Sequence, residues 1–387
     1  MSALLLAHLR EAAKHVGCEG EPLLAGLDET AAAQRALALV AEAGLTKWTV
    51  PARWSGAEAG ELVASDDVSC RAMCALREPL AYHSAMLDVM LVMQGLGSYS
   101  LARAGKPEAC RELLPRVARG ELIAAFGLTE PQAGSDLGMV STRAERVGAT
   151  WRISGQKTFI SNAGVAGLYT LLARTSGEPG DGGKGSLTMF WLRGDAPGLR
   201  ARRFEVTSPH PIGDVFLEGV QVGDEHVLGE VGQGLEVALA TLGRFRTSVA
   251  AAANGFARRA LDESLRRLAT REQFGKPLAF NQGLAFDLAE MDTRLRAAEL
   301  LVREAAESVD RGERAVEEVA RAKLFSTENA SYVCDRAVQH FGGQGVVRGN
   351  IVEQLWRDVR ALRIYEGTSE VQKLILSRAL LARSKAK

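Results

Sequence analysis

The sequence has few cysteines and none of the spacings that bind metals. Its five cysteines form no Cys-x-x-Cys pair, and its six histidines show no HExxH or HxxxH spacing. An odd number of separated cysteines is typical of reduced thiols packed in helices. We therefore expect no disulfide framework and no metal. The cysteines are Cys18, Cys70, Cys74, Cys110 and Cys334.

The sequence also has no excess of charge and no long hydrophobic run. Its 47 Lys and Arg residues balance 47 Asp and Glu residues, so no nucleic-acid partner is expected. The most apolar stretch, residues 84–97, is interrupted by Asp88 and Gln94, which argues against a membrane helix of roughly 18 residues. Residues 4–6 are too short for a signal-peptide core. We expect a soluble, cytoplasmic protein without a membrane partner.

Phosphate-binding loops of the common nucleotide folds are missing as well. Residues 343–349 approach GxGxxG, but the last glycine comes one place late and the segment follows a predicted helix. Lys184 is followed by Gly185, which excludes a P-loop there. No GxSxG elbow indicates a hydrolase.

Proline is scarce in the last third of the chain, where Pro277 is the only one after Pro211. Apolar residues in this region recur at alternating steps of four and three, which predicts a helix with an apolar seam. The seam consists of Leu284, Leu288, Met291, Leu295, Ala298, Val302, Ala305 and Val309. Together with helix-like stretches at 249–269, 316–341 and 369–382, it predicts a four-helix bundle.

The middle of the chain differs, because glycines are frequent from residue 126 to residue 234 and short segments have strand-like composition. No helix-length period separates these segments, so we expect antiparallel pairing. The first 125 residues favour helices again. The predicted fold class is α+β, with an N-terminal α-helical domain (1–125), a middle antiparallel β-barrel or sandwich domain (126–235) and a C-terminal four-helix bundle (236–387).

Two clusters of residues offer polar groups that could serve either a ligand or the fold. In residues 127–136, Thr129 and Ser135 supply hydroxyls at a turn, although a plain interdomain turn has the same composition. In residues 271–277, Arg271 could pair with a pyrophosphate, or it could face the end of the preceding helix.

A third cluster contains a candidate base. Glu366 follows Ile364 and Tyr365 just before the last predicted helix, and apolar neighbours raise the pKa of a carboxylate. The alternative is that acids at this point favour the positive end of a helix dipole.

Six motifs occur together in a specific order. They are Thr129-Glu130-Pro131 with Ala133-Gly134-Ser135-Asp136; Gly155-Gln156-Lys157 through Phe159-Ile160-Ser161-Asn162; Arg271 with Gln273-Phe274-Gly275; Phe341-Gly342-Gly343-Gln344-Gly345; Arg357-Asp358; and Ile364-Tyr365-Glu366-Gly367-Thr368. In this combination the chain resembles the acyl-CoA dehydrogenase family of FAD-dependent flavoproteins, from about residue 105 to about residue 382. The resemblance implies the same helical, β and four-helix-bundle layout.

The resemblance also implies an activity, the α,β-dehydrogenation of an acyl-CoA thioester to the 2-enoyl-CoA. Glu366 would abstract the α-proton while hydride passes to flavin N5, and an electron-transfer flavoprotein would accept the electrons. The Glu366 backbone N–H and a flavin hydroxyl would bind the thioester carbonyl. Substrate contacts are expected from Ser135, Arg246, Tyr365 and Gly367. No acid lies between residues 243 and 247, where some relatives carry the base, so Glu366 has no rival.

The resemblance also implies which residues of this sequence contact the flavin, because the family's flavin-binding positions can be matched one by one. Ser161 stands where the family usually has a threonine bonding flavin N5, and Phe159 would stack near the flavin. The expected FAD-binding residues are Thr129, Ser135, Phe159, Ser161, Arg271, Phe274, Gln282, Gln339, Gly343, Thr368 and Glu370. Five of these match residues that bind the ADP half of a neighbouring subunit's FAD in the family, which implies a homodimer or homotetramer. The five are Arg271, Phe274, Gln282, Gln339 and Gly343.

Departures from the family pattern concern the acyl pocket and the substrate entrance more than the flavin. Residues 51–56 replace a Pro-x-x-x-Gly-Gly loop, residues 207–213 replace a Gly-x-Arg-x-Ser motif, and Gly223 replaces a proline. His83 stands where glutaryl-CoA dehydrogenases carry an arginine, so a dicarboxylic substrate is not expected.

Two alternatives remain: the same chemistry on an acyl or aminoacyl group of a carrier protein, or a flavin-fold protein that is not a dehydrogenase.

Overall fold

The computed structural model describes residues 2–385 of the chain. These residues form two compact units. The helical unit contains the residues up to 21, residues 70–88 and the residues from 246 onward, and the sheet unit contains residues 22–69 and 89–245.

Helices account for most of the described residues, and they follow the predicted stretches closely. Residues 316–341 form one helix with the predicted bounds, and in the N-terminal region Ser84 separates two helices. The helices of the described chain are α1 (Ser2–Leu24), α2 (Glu29–Glu42), α3 (Cys70–His83), α4 (Ala85–Ala104), α5 (Pro107–Ala118), α6 (Gly234–Thr270), α7 (Gln282–Asp310), α8 (Val316–Phe341), α9 (Ile351–Arg360) and α10 (Ser369–Lys385).

Strands are concentrated in the sheet unit, apart from a small hairpin in the helical unit. Within residues 2–385 they are β1 (Ala124–Gly127), β2 (Arg143–Val147), β3 (Thr150–Ser161), β4 (Leu168–Arg174), β5 (Leu187–Arg193), β6 (Leu199–Arg203), β7 (Ile212–Val222), β8 (Val227–Leu228), β9 (Glu272–Gln273) and β10 (Lys276–Pro277).

The sheet unit is organised by one eight-stranded sheet in the order β6-β7-β3-β2-β4-β5-β8, with β1 also paired to β4. The predicted α+β class is confirmed, and most pairs are antiparallel as expected. The pairs β1–β4 and β2–β4 are parallel, which makes the sheet mixed. Residues 128–167, between β1 and β4, supply the long connection that parallel pairing needs.

The predicted apolar seam lies on α7. Its central residues, from Met291 to Ala305, are buried, whereas Leu284, Leu288 and Val309 are half-buried. They pack with residues of α3, α6, α8 and α9 in the cores of the helical unit. Helix α9 is absent from the sequence prediction because its ten residues are too few to show a clear apolar period.

One helix of the described residues, α4, is long and apolar enough to cross a membrane, contrary to the expectation from Asp88 and Gln94. However, 83% of its apolar window is buried inside the protein, as in a core helix. Asp88 is buried because it is paired, as described below.

A buried ion pair fastens the Thr129-Glu130-Pro131 segment to β3. Lys157 Nζ lies 2.8 Å from Glu130 Oε1, and both side chains are 1% exposed. Glu130 also accepts hydrogen bonds from the backbone N–H groups of Ser141 and Thr142. Burial alone would raise the pKa of Glu130, but the Lys157 ammonium and these hydrogen bonds outweigh it and lower the pKa to about 2.

We predict that Lys157→Met costs about 3–5 kcal/mol of the free energy of unfolding at pH 7, because it leaves a buried carboxylate without its cation. Glu130 stabilises the fold above its ordinary pKa of 4.5, and this contribution is lost as the pH falls toward about 2. Denaturant unfolding of wild type and variant measures both effects.

A matched control is Arg152→Met, which breaks the exposed pair between Arg152 on β3 and Glu145 on β2. Such a pair contributes about 1 kcal/mol or less. Equal losses in the two variants would contradict the assigned role of the Glu130–Lys157 pair.

Candidate active site

Glu366 lies on a turn with a left-handed backbone conformation directly before α10. Its φ is +53° and that of Gly367 is +93°. A non-glycine residue with positive φ is uncommon and costs of order 1 kcal/mol, so the surrounding structure must hold it there. A Cβ at Gly367 would lie 2.7 Å from Gln372 Nε2, which excludes any larger residue without movement.

Three side chains of the helical unit hold this turn through its carbonyl groups. Arg246 Nε donates to the Glu366 carbonyl at 2.7 Å. Lys323 Nζ and Gln372 Nε2 both donate to the Gly367 carbonyl, at 2.8 Å and 2.9 Å. The turn is therefore fixed from α6, α8 and α10.

The Glu366 carboxylate is half-buried and poorly satisfied. Its Oε2 atom is buried and has no hydrogen-bond partner among the described residues. Burial raises the pKa of Glu366, while the positive charges of Arg77, Arg246 and Lys323 oppose this effect. An unpaired carboxylate with a raised pKa is the arrangement expected of a general base.

The backbone N–H of Glu366 finds no acceptor within residues 2–385. A free N–H next to an unpaired carboxylate can bind a carbonyl oxygen of the molecule whose proton the carboxylate removes. The geometry of the turn therefore agrees with the expected binding of a thioester carbonyl at this N–H. The ring of Tyr365 beside it is 41% exposed.

A second buried ion pair lies close to this turn, and sequence reasoning missed it. Arg77 on α3 donates two hydrogen bonds of 2.7 Å to Asp88 and one of 2.9 Å to Ser248. Its charge acts on both Tyr365 and Glu366. The available signal was a charged residue, Asp88, in the most apolar stretch of the sequence.

Three of the predicted ADP-binding residues line one cavity of the helical unit. Arg271, Gln339 and Gly343 surround a volume of about 660 Å³. The Arg271 side chain is exposed and has no hydrogen bond or ion pair among the described residues. A free guanidinium at a cavity fits the phosphates of a dinucleotide, so this part of the expected FAD site agrees with the residues present.

Two further predicted contacts, Phe274 and Gln282, lie outside the lining of this cavity. Phe274 is at the tip of the β9–β10 hairpin, with a φ of +54° and 96% exposure. Gln282 is exposed at the first position of α7. A strained and fully exposed aromatic ring indicates a contact made with another molecule.

Thr368 and Glu370 belong to the start of α10. Thr368 Oγ1 accepts a hydrogen bond from the backbone N–H of Val371, and Glu370 is exposed. The Glu370 backbone N–H lowers the pKa of its own carboxyl group. These contacts match the alternative interpretation of acids at a helix N-terminus, and the predicted flavin contacts of both residues stay predictions.

The other predicted flavin residues lie in the sheet unit. Phe159 is 62% exposed with a φ of +56°, at a register shift between β3 and β7. The Thr129 carbonyl accepts from the N–H of Thr158, which places Thr129 beside this irregularity. Ser135 is exposed in the loop after β1. An irregular strand that exposes an aromatic ring suits a flat ligand.

Ser161 has a partner that the sequence analysis did not name. Its Oγ lies 3.1 Å from His210 Nε2, and His210 Nδ1 lies 2.9 Å from the Ser208 carbonyl. Because the carbonyl requires a proton on Nδ1, Nε2 is the acceptor and Ser161 donates. The altered segment 207–213 thus supplies a hydrogen-bond partner for Ser161, and a histidine in a segment that departs from the family pattern was the available signal.

Comparison with known proteins agrees with this geometry. Family models described as acyl-CoA dehydrogenase N-terminal, middle and C-terminal domains match residues 7–121, 125–220 and 232–381. Two curated relatives are similar over most of their length. Cyclohexane-1-carbonyl-CoA dehydrogenase of Geobacter metallireducens is 33% identical, with 93% of each chain covered. The 3-(aryl)acrylate reductase of Clostridium sporogenes is 35% identical, with 94% of each chain covered.

Among solved structures, butyryl-CoA dehydrogenase from Megasphaera elsdenii superposes with a TM-score of 0.88 at 29% identity, covering 97% of this chain and 98% of that one. The chain therefore belongs to the acyl-CoA dehydrogenase family, and the predicted fold and enzyme class are confirmed. FAD is the cofactor of this family of oxidoreductases.

We predict that Arg271→Met weakens FAD retention by about 10- to 100-fold, because a charge-assisted hydrogen bond to phosphate contributes roughly 1.5–3 kcal/mol. Flavin release into the filtrate on dilution measures the effect. The control is Arg303→Met, at an exposed position of α7. If both variants keep the flavin equally well, Arg271 does not bind the cofactor.

Proposed function

We propose that this member of the acyl-CoA dehydrogenase family catalyses the FAD-dependent α,β-dehydrogenation of an acyl-CoA thioester to the 2-enoyl-CoA. The observation that carries the proposal is the Glu366 turn, where a buried carboxylate oxygen has no partner among the described residues and lies beside a free backbone N–H. Together they supply a base and an oxyanion donor, which are the two groups that enolisation of a thioester requires.

Each residue of the turn has a defined role in this proposal. Glu366 removes the α-proton with its carboxylate, and its N–H binds the thioester carbonyl. Arg246 and Gly367 shape the backbone so that both groups face the substrate. FAD, when bound, would supply the acceptor for the hydride that leaves the β-carbon. Thr129, Phe159 and Ser161 would hold the flavin, and Arg271, Gln339 and Gly343 would hold the ADP half of an FAD.

The relatives suggest which acyl groups to test. One relative is named for cyclohexane-1-carbonyl-CoA and another for 3-(aryl)acrylate, so ring-bearing acyl groups belong in the substrate panel. His83 Nδ1 lies 3.4 Å from Glu21 Oε2, so the imidazole already contacts a carboxylate of the helical unit. This contact agrees with the expectation that a distal carboxylate is not recognised.

The remaining parts of the proposal concern partners and location. We propose that an electron-transfer flavoprotein accepts the electrons, that the enzyme is a homodimer or homotetramer, and that it acts in the cytoplasm. Large apolar side chains that are exposed on the helical unit are available for such an assembly. They include Phe274, Phe280, Phe286, Val346 and Trp356.

The first test is anaerobic reduction of the bound flavin. We expect a matching acyl-CoA to bleach the flavin absorbance of the wild type, with Glu366→Gln slowing this reaction by roughly three or more decades because it lacks the base. The variant should retain its flavin. Glu304→Gln, on the exposed side of α7, serves as the control. Full activity of Glu366→Gln would exclude the assigned mechanism, and efficient turnover of CoA thioesters would exclude a carrier-protein substrate.

The second test is the pH dependence of kcat/KM. Glu366 must be ionised to act as a base, so activity is lost as the pH falls through its pKa. Because burial raises this pKa above the ordinary 4.5, we expect the acid limb of the profile to lie above pH 4.5. Constant activity down to pH 4.5 would contradict the raised pKa of Glu366.

A further inference from the structure

Lys323 is a buried lysine whose position the proposed chemistry does not yet explain. It lies inside α8 with 0% exposure, and its Nζ donates to the Gly367 carbonyl at 2.8 Å. No carboxylate within residues 2–385 lies close enough to form an ion pair with it. Burying an ammonium without a contact ion pair costs free energy, so the presence of a lysine at this position calls for an explanation.

Hydrogen bonding alone does not supply that reason. The Gly367 carbonyl already accepts from Gln372 at 2.9 Å, and an amide satisfies a carbonyl without the cost of burying a charge. The second donor at the same oxygen is nevertheless a lysine. The feature that distinguishes Lys323 from Gln372 is its positive charge, next to the turn that carries Glu366.

The charges around this turn come from several helices. Glu366 is influenced by Arg77 on α3, Asp88 on α4, Arg246 on α6 and Lys323 on α8. Arg77 is already engaged by the carboxylate of Asp88 in a two-point ion pair. Arg77 still has the largest charge effect on Glu366, and its partner Asp88 opposes that effect only in part.

Arg246 and Lys323 are placed differently, because each donates to a carbonyl of the turn itself. The groups that act on Lys323 are Glu366, Arg246, Glu328 and Glu370. Burial lowers the pKa of Lys323 to about 8, with the carboxylates partly opposing this effect. Near neutral pH its ammonium thus remains charged.

We propose that Lys323 is a positioning residue for Glu366: its ammonium fixes the left-handed turn through the Gly367 carbonyl and its charge keeps the neighbouring carboxylate ionised. The inference rests on the proposed function, in which Glu366 is the base. It adds a residue on a different helix that controls both the geometry and the ionisation of that base.

Two substitutions at Lys323 separate these effects. Lys323→Met removes both the hydrogen bond and the charge, whereas Lys323→Gln retains a donor and removes only the charge. We expect Lys323→Met to reduce the rate of flavin reduction by about 10- to 100-fold, since small displacements of a reacting group have effects of this size. Lys323→Gln should recover part of this loss.

The pH profile distinguishes positioning from a merely structural role. The acid limb of kcat/KM should move upward by about 0.5–1 pH unit in both Lys323 variants, because a cation that favoured the ionised carboxylate has gone. The matched control is Gln372→Met, which removes the neutral donor from the same carbonyl and should leave the limb in place. An unmoved limb in both Lys323 variants would overturn the proposal.

A measurement without turnover tests the same assignment. An unfolded lysine has a pKa near 10.5, so the native state with its pKa of about 8 gains stability relative to the unfolded state as the pH rises from 8 to 10.5. We expect the melting temperature of the wild-type holoenzyme to rise relative to that of Lys323→Met over this interval. A constant difference would show that Lys323 does not carry a buried charge.

The two proposals fail in different ways. If no acyl-CoA reduces the wild-type flavin, the proposed function fails, whereas the melting experiment still tests the buried charge of Lys323. If the wild type is active and both Lys323 variants retain its pH profile, only the role of Lys323 fails.

Discussion

The candidate active site depends on holding Glu366 at a backbone conformation that is unfavourable for a residue with a side chain. Glu366 has a positive φ, and its carboxylate oxygen Oε2 is buried without a partner among the described residues. Both features cost free energy, and side-chain donors to the carbonyls of Glu366 and Gly367 hold the backbone of the turn in place. The result is a carboxylate that has a buried oxygen without a hydrogen-bond partner among the described residues and can therefore serve as a base.

Each of the two units also contains a buried ion pair. Lys157 and Glu130 fasten a loop to β3 in the sheet unit, and Arg77 and Asp88 join α3 to α4 in the helical unit. In these pairs each charge has a direct partner. The Glu366 turn differs because its cations bind backbone carbonyls and leave the carboxylate free, which separates a site that stabilises the fold from one that can exchange a proton.

Much of the fold could be predicted from the sequence, because its helices and strands have strong periodic patterns. The apolar seam of α7 and the bounds of α8 follow from residue spacing, whereas α9 is too short to show a period. The parallel pairing of β1 with β4 could not be predicted, since strand direction within a sheet depends on the path of the connecting chain.

The site was predictable in part for a similar reason. Motifs pointed to Glu366 as the candidate base. Arg271, Gln339 and Gly343, for which the resemblance implied contacts with the ADP half of FAD, line one cavity. Lys323 acts on the Glu366 turn from elsewhere in the chain and carries no local signal, whereas His210 was marked only by its place in a segment that departs from the family pattern. Their roles appear only when the fold brings α8 to the Glu366 turn and segment 207–213 to Ser161.

We propose that Glu366 exchanges a proton with the α-carbon of a bound thioester. The most direct measurement follows solvent deuterium entering the α-position of an acyl-CoA that has no β-hydrogens and so cannot be oxidised. We expect the wild-type enzyme in D₂O to exchange this position, and Glu366→Gln to leave it unlabelled while still binding flavin. Equal labelling by the two proteins would contradict the account.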